Sequence, residues 1–500
     1  MARDDGLSDA PLASERRGSI GRHGVRATAM LTIYLVLLLV VPSSATISAL
    51  GSLGRPAMLW GVVMLVWWVI AKLQVRVTDA HPVRQPVRFA YFVLFIIALI
   101  SFAVAMLRGQ PVDQISPAIT ALVRLLSWVG VLLITLDGIR TKSDLERIVR
   151  RIGIGAGLLA ALGIAQFVTK SSLLDFWGSI PGIQIPFVDV SERGGVSRVP
   201  GTAIHPLEYA TVLNAALPLV IAAAVSHGLR WKQRRGGFGW WIPVALISLS
   251  ALIGVSRSAI IGFAVAALTM LPVLPRRVRG VVIIGGIVLA AAAVVAIPGL
   301  LTTTLNLFAG ASNDPSTQSR TGGLARAPEF IAASPVVGAG FGTFLPRYYI
   351  FDNEWVLLTI ELGVLGVLAF AGVFLSAIWS GITARRRSTD PEIRLLGYAL
   401  AASAVNIAVL FAFFDGLSFP QSGGMFFLIA GLCGAIRAIS AADLPQRTVR
   451  QVPSLAVATH PPDERGRARE RLQGRGLRST VTPSRRRAIA GRDVRGGGRG

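Results

Sequence analysis

The strongest constraint on this chain is a series of segments, each of roughly 20 nearly uncharged apolar residues, long enough to cross a bilayer as helices. Hydrophobic residues make up 53% of the 500 residues and charged residues only 15%, whereas soluble proteins contain about 25% charged residues. The alternating polar and apolar segments of a membrane barrel are missing from the sequence. It therefore predicts an all-α polytopic membrane protein.

The hydrophobic segments predict about 12 transmembrane helices within a domain that runs from 29 to 440. The predicted spans are 29–50, 56–72, 88–107, 117–136, 152–169, 206–227, 239–255, 257–274, 280–298, 353–380, 395–413 and 420–440. A tight reversal at Arg257 is expected to separate 239–255 from 257–274. A disordered N-terminus, 1–28, and a disordered tail rich in Arg and Gly, 441–500, are expected to flank the domain.

Basic residues are concentrated in every second loop between the predicted spans. One of these loops carries Arg140, Lys142, Arg147, Arg150 and Arg151. Because basic loops face the cytoplasm, we expect a multi-pass plasma-membrane protein with both termini cytoplasmic. Two long loops, 170–205 and 299–352, then face outside and are expected to contain short interfacial elements.

The net charge of +24 raises the possibility of nucleic-acid binding. Many of the arginines lie in the tail, without the interleaved aromatic residues that stack on bases. The tail is therefore expected to contact anionic membrane lipids, with no nucleic-acid partner. The only cysteine is Cys433, which excludes an intrachain disulfide or a cysteine-based metal site. No histidine lies near His205 at ligand spacing, so neither a metal nor a cofactor is predicted.

The clearest charged residues inside predicted spans are Arg124 and Glu361, and charge there is costly and suggests function. Both are expected roughly 12 Å below the outer surface. Glu361 is predicted to orient Arg124 toward a substrate. The alternative is an ion pair that only fastens two helices together.

The first long loop ends in a polar motif with Arg198, His205 and Glu208 beside Pro206. Pro206 is suited to the first turn of a helix, which puts His205 near its N-cap and Glu208 in its first turn. A helix N-terminus with an imidazole, a carboxylate and an arginine can supply both a base and a phosphate site. The alternative is that His205 only caps the helix.

The second long loop carries Arg320 and Arg326, which are about two turns apart if the segment is helical. A glycine-rich run, Gly338-Ala-Gly-Phe-Gly342, permits close backbone approach. Asp352 and Asn353 follow at the start of the next span, where either a capping or a catalytic role explains them.

In their order along the chain, these motifs resemble the O-antigen ligase/polymerase family of bacterial membrane glycan transferases. The resemblance covers roughly residues 190–370. Its elements are Arg198-Val-Pro-Gly-Thr-Ala-Ile-His205-Pro-Leu-Glu208, Ser256-Arg257-Ser258-Ala, Ser319-Arg320-Thr, Pro335-Val-Val-Gly338-Ala-Gly340-Phe-Gly342-Thr-Phe and Asp352-Asn353-Glu-Trp…Glu361-Leu-Gly363-Val-Leu-Gly366.

The resemblance implies a GT-C-like, metal-independent glycosyltransferase acting on the outer face of the plasma membrane. The donor is a glycan on a polyprenyl-diphosphate carrier, and the acceptor is a sugar or glycolipid. By motif match, Arg198, Arg257 and Arg320 bind the diphosphate. Asp352 occupies the position where lipid A–core ligases carry histidine, which favours the polymerase or exopolysaccharide branch, although ligases and polymerases share these motifs.

The chemistry of glycan transfer agrees with these assignments. Guanidinium groups can neutralise a departing diphosphate. The acceptor hydroxyl needs a base, for which the order of preference is Asp352, then His205, then Glu208. Arg124, Arg326, Glu361 and Asn353 are predicted to support substrate binding.

A membrane transporter or a flippase for lipid-linked oligosaccharides is the alternative function. The number of spans and the intramembrane charges suit a transporter. However, the polar residues are confined to the predicted outer half, and loop 73–87 lacks a major-facilitator signature. A purely structural scaffold is disfavoured by the cost of the intramembrane charges.

Overall fold

A computed structural model describes residues 26–74, 84–186, 191–193, 196–229, 237–254, 256–309 and 315–442. The predicted disordered termini lie outside these ranges except at their inner edges. Residues 27, 28, 441 and 442 are helical, so the helical domain extends slightly beyond the predicted limits of 29 and 440. Parts of both long loops, 187–190, 194–195 and 310–314, also lie outside the described residues.

Fourteen α-helices form the described structure. They are α1 Ala27–Leu39, α2 Pro56–Gln74, α3 Pro86–Leu107, α4 Val112–Gly138, α5 Lys142–Thr169, α6 Pro206–Val225, α7 Trp241–Ile253, α8 Arg257–Met270, α9 Arg276–Ala296, α10 Leu300–Ala309, α11 Pro315–Ala332, α12 Glu354–Arg387, α13 Pro391–Leu410 and α14 Pro420–Ala442.

Nine helices in the described part of the chain are long and apolar enough to cross a membrane: α2–α6, α9 and α12–α14. Three other predicted spans correspond to shorter apolar helices, at Ala27–Leu39, Phe238–Ile253 and Arg257–Val273. The chain is therefore an all-α polytopic membrane protein. Helix α7 ends at Ile253 and α8 begins at Arg257, which agrees with the expected separation of these two segments.

The predicted span 29–50 is wrong in its second half, because α1 ends at Leu39. Pro42 cannot continue the hydrogen bonding of a helix. The segment that follows forms strand β1 (Thr46–Ile47) and a 3₁₀ turn at Ser48–Leu53. β1 pairs antiparallel with β2 (Ile183–Gln184), which joins this segment to the first long loop.

The remaining two strands, β3 (Ser191–Arg193) and β4 (Val196–Arg198), form a hairpin farther along the first long loop. In the second long loop, α10 and α11 provide the regular structure, and α11 contains both Arg320 and Arg326. Both long loops thus contain short ordered elements, and their expected place at the membrane interface stays a prediction.

Helices α6 and α14 form the centre of the bundle and are buried along nearly their whole length. α14 packs against α4, α12 and α13, and α6 packs against α5, α8 and α13. By contrast, α9 is mostly exposed, as expected for a helix that faces lipid. Side-chain amides help to join the helices: Asn214 of α6 donates to the carbonyl of Ala259, and Asn406 of α13 donates to that of Gly262.

Helix α12 is broken at Gly363, whose φ of 67° and ψ of −172° are available almost only to glycine. The glycine-rich run lies against this break. Ala339 N–H donates to Ile360 O, and Gly340 N–H donates to Glu361 O, each at 2.9 Å. In return, Val364 N–H donates to Pro335 O at 2.9 Å. The interrupted helix and the loop thus satisfy each other's backbone groups.

Replacing Gly363 by alanine is expected to destabilise the protein by about 3 kcal/mol or more, because of strain at positive φ together with overlap with Val336 O. Gly372 in the same helix is the matched control, since a Cβ there meets no atom within 4 Å. Gly372→Ala should be neutral, or stabilising by up to ~1 kcal/mol. Thermal unfolding in detergent measures both. Equal melting temperatures for the two variants would contradict the role assigned to the break.

Candidate active site

A polar cavity of about 460 Å³ is lined by residues just before α2, by the N-terminal half of α4 and by the first turns of α12. Residues 341–351 and the loop between α13 and α14 close its other sides. Five charged residues line it: Arg55, Arg124, Glu354, Glu361 and Asp415. Both charges that the sequence predicts inside spans, Arg124 and Glu361, therefore reach one cavity.

Arg124 projects from the buried α4, and its Nη1 donates to Leu417 O at 2.6 Å. Within the described residues no salt bridge joins Arg124 to Glu361, although the charges of the two groups act on each other. A backbone carbonyl stabilises the guanidinium without cancelling its charge. Arg124 can thus still attract an anion.

Arg55 lies directly before the first residue of α2. Burial lowers the pKa of its guanidinium, and the charge of Glu208 partly offsets this effect. Since an arginine guanidinium keeps its proton in proteins, Arg55 carries a positive charge. The cavity therefore contains two cationic groups, a suitable arrangement for an anion with more than one negative charge.

Glu361 is buried one half-turn before the break in α12. It accepts the N–H of Phe344 at 3.4 Å, and the N–H of Gly342 also hydrogen-bonds to it. The carboxylate thus holds the end of the glycine-rich run, and its charge also acts on that of Arg124. That Glu361 orients Arg124 stays a prediction.

The loop between α13 and α14, residues 411–419, connects most of the charged groups. Leu417 uses its carbonyl for Arg124 and its N–H for Glu354 Oε2, at 2.9 Å. The carbonyl of Phe413 accepts from Arg320 Nη2 at 3.1 Å, and the guanidinium lies over the Phe413 ring. We name residues 411–419 the coupling loop, because it joins α4, α11 and α12 through backbone groups.

Asp415 is the acidic residue of the coupling loop, and it lines the cavity. Burial raises its pKa to about 6, and the negative charge of Asp352 acts in the same direction. A hydrogen bond from Ser418 and the charge of Arg124 oppose the increase. A carboxylate with a pKa just below neutrality is well suited to accept a proton.

Asp352 does not line the cavity, although its charge influences both Asp415 and the site around Arg320. Burial raises the pKa of Asp352, whereas the charge of Arg320 and a hydrogen bond from Ser319 lower it. Its neighbour Asn353 caps α12 by accepting the N–H groups of Trp355 and Val356 at 3.0 and 3.3 Å. The contacts of Asn353 thus agree with the capping alternative.

His205 also caps a helix: its Nδ1 accepts the N–H of Leu207 at 3.1 Å at the start of α6. Burial and the nearby charge of Arg198 lower the pKa of His205 to about 4, so the imidazole is neutral at pH 7. The His205 ring lies 5.9 Å from that of Phe419, at the end of the coupling loop. His205 and Arg198 are therefore beside this loop but do not line the cavity.

Glu208 is fully buried and its oxygens are occupied by three donors. They are Ser43 Oγ at 3.0 Å, Ile204 N–H at 2.9 Å and Gln421 N–H at 2.6 Å. The donors come from three separate parts of the chain, so Glu208 joins the segment after α1, the first long loop and the start of α14. These contacts suit a structural carboxylate better than a base.

The two other predicted arginines do not line the cavity. Arg257 is the first residue of α8 and is half-buried. Arg326 is exposed and lies 5.7 Å from the centre of the Tyr349 ring, and Tyr349 does line the cavity. Within the described ranges, no group of three or more His, Cys, Asp or Glu residues is placed to hold a metal ion.

Sequence reasoning missed Arg55, Glu354 and Asp415. Arg55 and Asp415 lie in short loops on the same predicted side as Arg320, and this shared side was the available signal. Glu354 lies next to the cap residue Asn353 and resembles an ordinary first-turn acid in the sequence. Only its contact with Leu417 shows its place at the cavity.

Residues 242–371 match the family model described as O-antigen ligase. The match begins in α7, includes Arg257, Arg320 and the glycine-rich run, and ends eight residues after the break at Gly363. It confirms the predicted resemblance to an O-antigen ligase/polymerase family over these residues. Arg55, Arg124 and Asp415 lie outside the matched segment. No match was found among curated proteins.

Glu208→Ala is expected to lower stability by about 3 kcal/mol, because it leaves buried N–H donors without an acceptor. The exposed Glu329 provides a matched control, and Glu329→Ala should change stability by less than ~0.5 kcal/mol. The melting temperatures of the purified proteins test this difference. A Glu208→Ala variant that melts like wild type but does not transfer glycan would instead favour a catalytic role.

Proposed function

We propose that this protein transfers a glycan from a polyprenyl-diphosphate carrier to a sugar or glycolipid acceptor. The match of residues 242–371 to the O-antigen ligase family model supports this type of reaction. The observation that carries the proposal is the cavity in which Arg55 and Arg124 lie with Asp415. It combines cations for a leaving diphosphate with a carboxylate for an acceptor hydroxyl. Glycan transfer requires both functions.

The donor diphosphate is assigned to the arginines. Arg55 and Arg124 line the cavity and would neutralise the charge that develops as the diphosphate leaves. The side chain of Arg320, from α11, bonds to the adjoining coupling loop, so it is suited to the outer part of the donor. Arg198, Arg257 and Arg326 are assigned to the approaches to the cavity. The arginine contacts support transfer without a metal ion, as in GT-C-like enzymes.

In the proposed reaction, the acceptor oxygen attacks the anomeric carbon of the donor sugar. The bond from that carbon to the diphosphate oxygen breaks, and the diphosphate takes the electron pair. A carboxylate accepts the hydroxyl proton. Asp415 is the preferred base because it lines the cavity, and Asp352 is second because it does not line the cavity but its charge acts on Asp415. His205 and Glu208 are less suited because their contacts are those of cap and structural groups.

The cavity is proposed to face the outside of the plasma membrane, with both termini in the cytoplasm. The supporting observation is the bias of Lys and Arg toward the loops at the other ends of the helices. The domain from 29 to 440 would then span the membrane with loops 170–205 and 299–352 outside. The basic tail, 441–500, would contact anionic lipids on the inside.

Arg55→Gln and Arg124→Gln are each expected to slow transfer by at least about 100-fold, because each removes a cation from the leaving group. The assay uses purified protein in detergent with a lipid-linked glycan donor and follows the length or mass of the product. Arg320→Ala and Arg257→Ala test the resemblance-based assignments in the same assay, and both are expected to abolish product formation.

Arg347→Gln is the matched control for these arginine variants. Arg347 is exposed, pairs with Asp113 and does not line the cavity, so its replacement should leave the rate unchanged. Detergent also separates the enzyme from a flippase or transporter, because translocation requires a bilayer. Wild-type protein that forms no product in detergent but moves the lipid-linked glycan across vesicles would overturn the proposal.

The rate of transfer is expected to rise with pH through about 6, because Asp415 accepts a proton only after it has lost its own. Asp415→Asn should remove this dependence and slow the reaction by roughly 10²- to 10⁴-fold. Asp352→Asn should retain the pH dependence. The pH profiles of kcat/KM for the three proteins test the assignment, and the reverse pattern would assign the base to Asp352.

A further inference from the structure

A second large cavity lies at the other end of α4. It has a volume of about 620 Å³ and is lined by the N-terminal ends of α1 and α5 and the C-terminal ends of α2 and α4. Ser116 lines the candidate active site and Gly138 lines this second cavity. Along α4 they are separated by about 33 Å, at 1.5 Å per residue. This separation matches the ~30 Å hydrocarbon core, so the second cavity lies at the opposite membrane interface.

Three arginines, Arg26, Arg140 and Arg147, line the second cavity. Arg26 is exposed, and no described residue pairs with its side chain. Arg140 uses its Nε to bond to the carbonyl of Asp137 at 2.8 Å, and Arg147 contacts Asp144 at 3.3 Å. The cavity thus presents several guanidinium groups to whatever enters it.

The acidic residues of the second cavity already have partners. Asp137 accepts from Trp68 Nε1 at 2.9 Å and pairs with Lys72 at 3.0 Å and with Arg88. Asp144 is engaged by Thr141 Oγ1 at 2.6 Å as well as by Arg147. Their negative charges are therefore compensated within the protein. The net charge of the second cavity is therefore positive, which favours binding of an anion.

The wall formed by α2 is apolar and aromatic. Trp67, Trp68 and Ala71 line the cavity from this helix. Val66, directly before Trp67, and Ile70, directly before Ala71, are about half exposed, at 52% and 46%. Tryptophan is typical of the headgroup level of a membrane, and exposed Val and Ile are typical of a helix that faces acyl chains. One side of the cavity thus suits a charged phosphate and the other a hydrocarbon chain.

We propose that this second cavity binds an anionic glycerophospholipid from the leaflet opposite the candidate active site. Arg26, Arg140 and Arg147 contact the phosphate, and the hydroxyl of Ser143, which accepts from Arg147, is available as a further donor. The glycerol and upper acyl chains lie against Trp67 and the exposed face of α2. A free phosphate shares the charged part of this chemistry but not the contact with α2.

The test is native mass spectrometry of the full chain in detergent with phosphatidylglycerol, with phosphatidylcholine, and with inorganic phosphate alone. Wild type is expected to retain phosphatidylglycerol in preference to phosphatidylcholine. Arg26→Gln and Arg147→Gln should each weaken retention by roughly fivefold. Because no described residue pairs with the Arg26 side chain, its replacement is not expected to unfold the protein, and melting temperatures check this.

Arg386→Gln is the matched control. Arg386 is an exposed arginine at the C-terminal end of α12, at the same interface but outside the second cavity. Unchanged retention in this variant supports a specific site. Equal losses in Arg386→Gln and Arg26→Gln would overturn the proposal in favour of general attraction to basic residues. Equal retention of the two lipids, or inorganic phosphate displacing phosphatidylglycerol, would also overturn it. Lipid retention is measured without glycan transfer, so the result is independent of the proposed function.

Discussion

The break in α12 is the feature on which the candidate active site depends. A helix broken in a membrane leaves backbone groups that water cannot satisfy, so protein groups must replace the missing hydrogen bonds. The run from Pro335 to Gly340 does this by exchanging bonds with both sides of Gly363. A Cβ at Gly338 would overlap the backbone of Glu361, and a Cβ at Gly363 would overlap the backbone of Val336. The glycines are therefore a steric requirement of the pairing, and the pairing fixes Phe344 and Gly342 where Glu361 can accept from them.

A second consequence concerns how the charges of the cavity are stabilised. Leu417, in the coupling loop, bonds to Arg124 with its carbonyl and to Glu354 with its N–H. Peptide dipoles thus support an arginine and a glutamate that do not neutralise each other directly. A direct ion pair would leave little net field for a ligand, whereas this arrangement retains positive potential at Arg124. The proposed diphosphate would meet cations that are held in position and still available.

The sequence was sufficient to predict the helical membrane architecture, because helices in lipid require long apolar runs. It was also sufficient to select Arg124 and Glu361 as candidate functional residues, since charge inside a span is rare. It could not distinguish Glu208 from a catalytic acid, because the three donors that occupy Glu208 come from segments far apart in the chain. Asp415 was missed for the same reason: its burial and its neighbours result from how α4, α12 and the coupling loop pack.

The two cavities lie along α4, and Arg55 of the first cavity directly precedes α2, whose C-terminal end lines the second. Lys72 and Arg88 pair with Asp137 at the C-terminal ends of α2 and α4, Arg55 lies before the N-terminal end of α2, and Arg124 lies near the middle of α4. Charged groups at both ends of a pair of packed helices oppose vertical movement, because either direction would bring charge into hydrocarbon. The candidate active site is thereby held at a fixed depth. A diphosphate on a polyprenyl chain is confined to the headgroup level, so the proposed donor has to reach inward from there to Arg124, near the middle of α4.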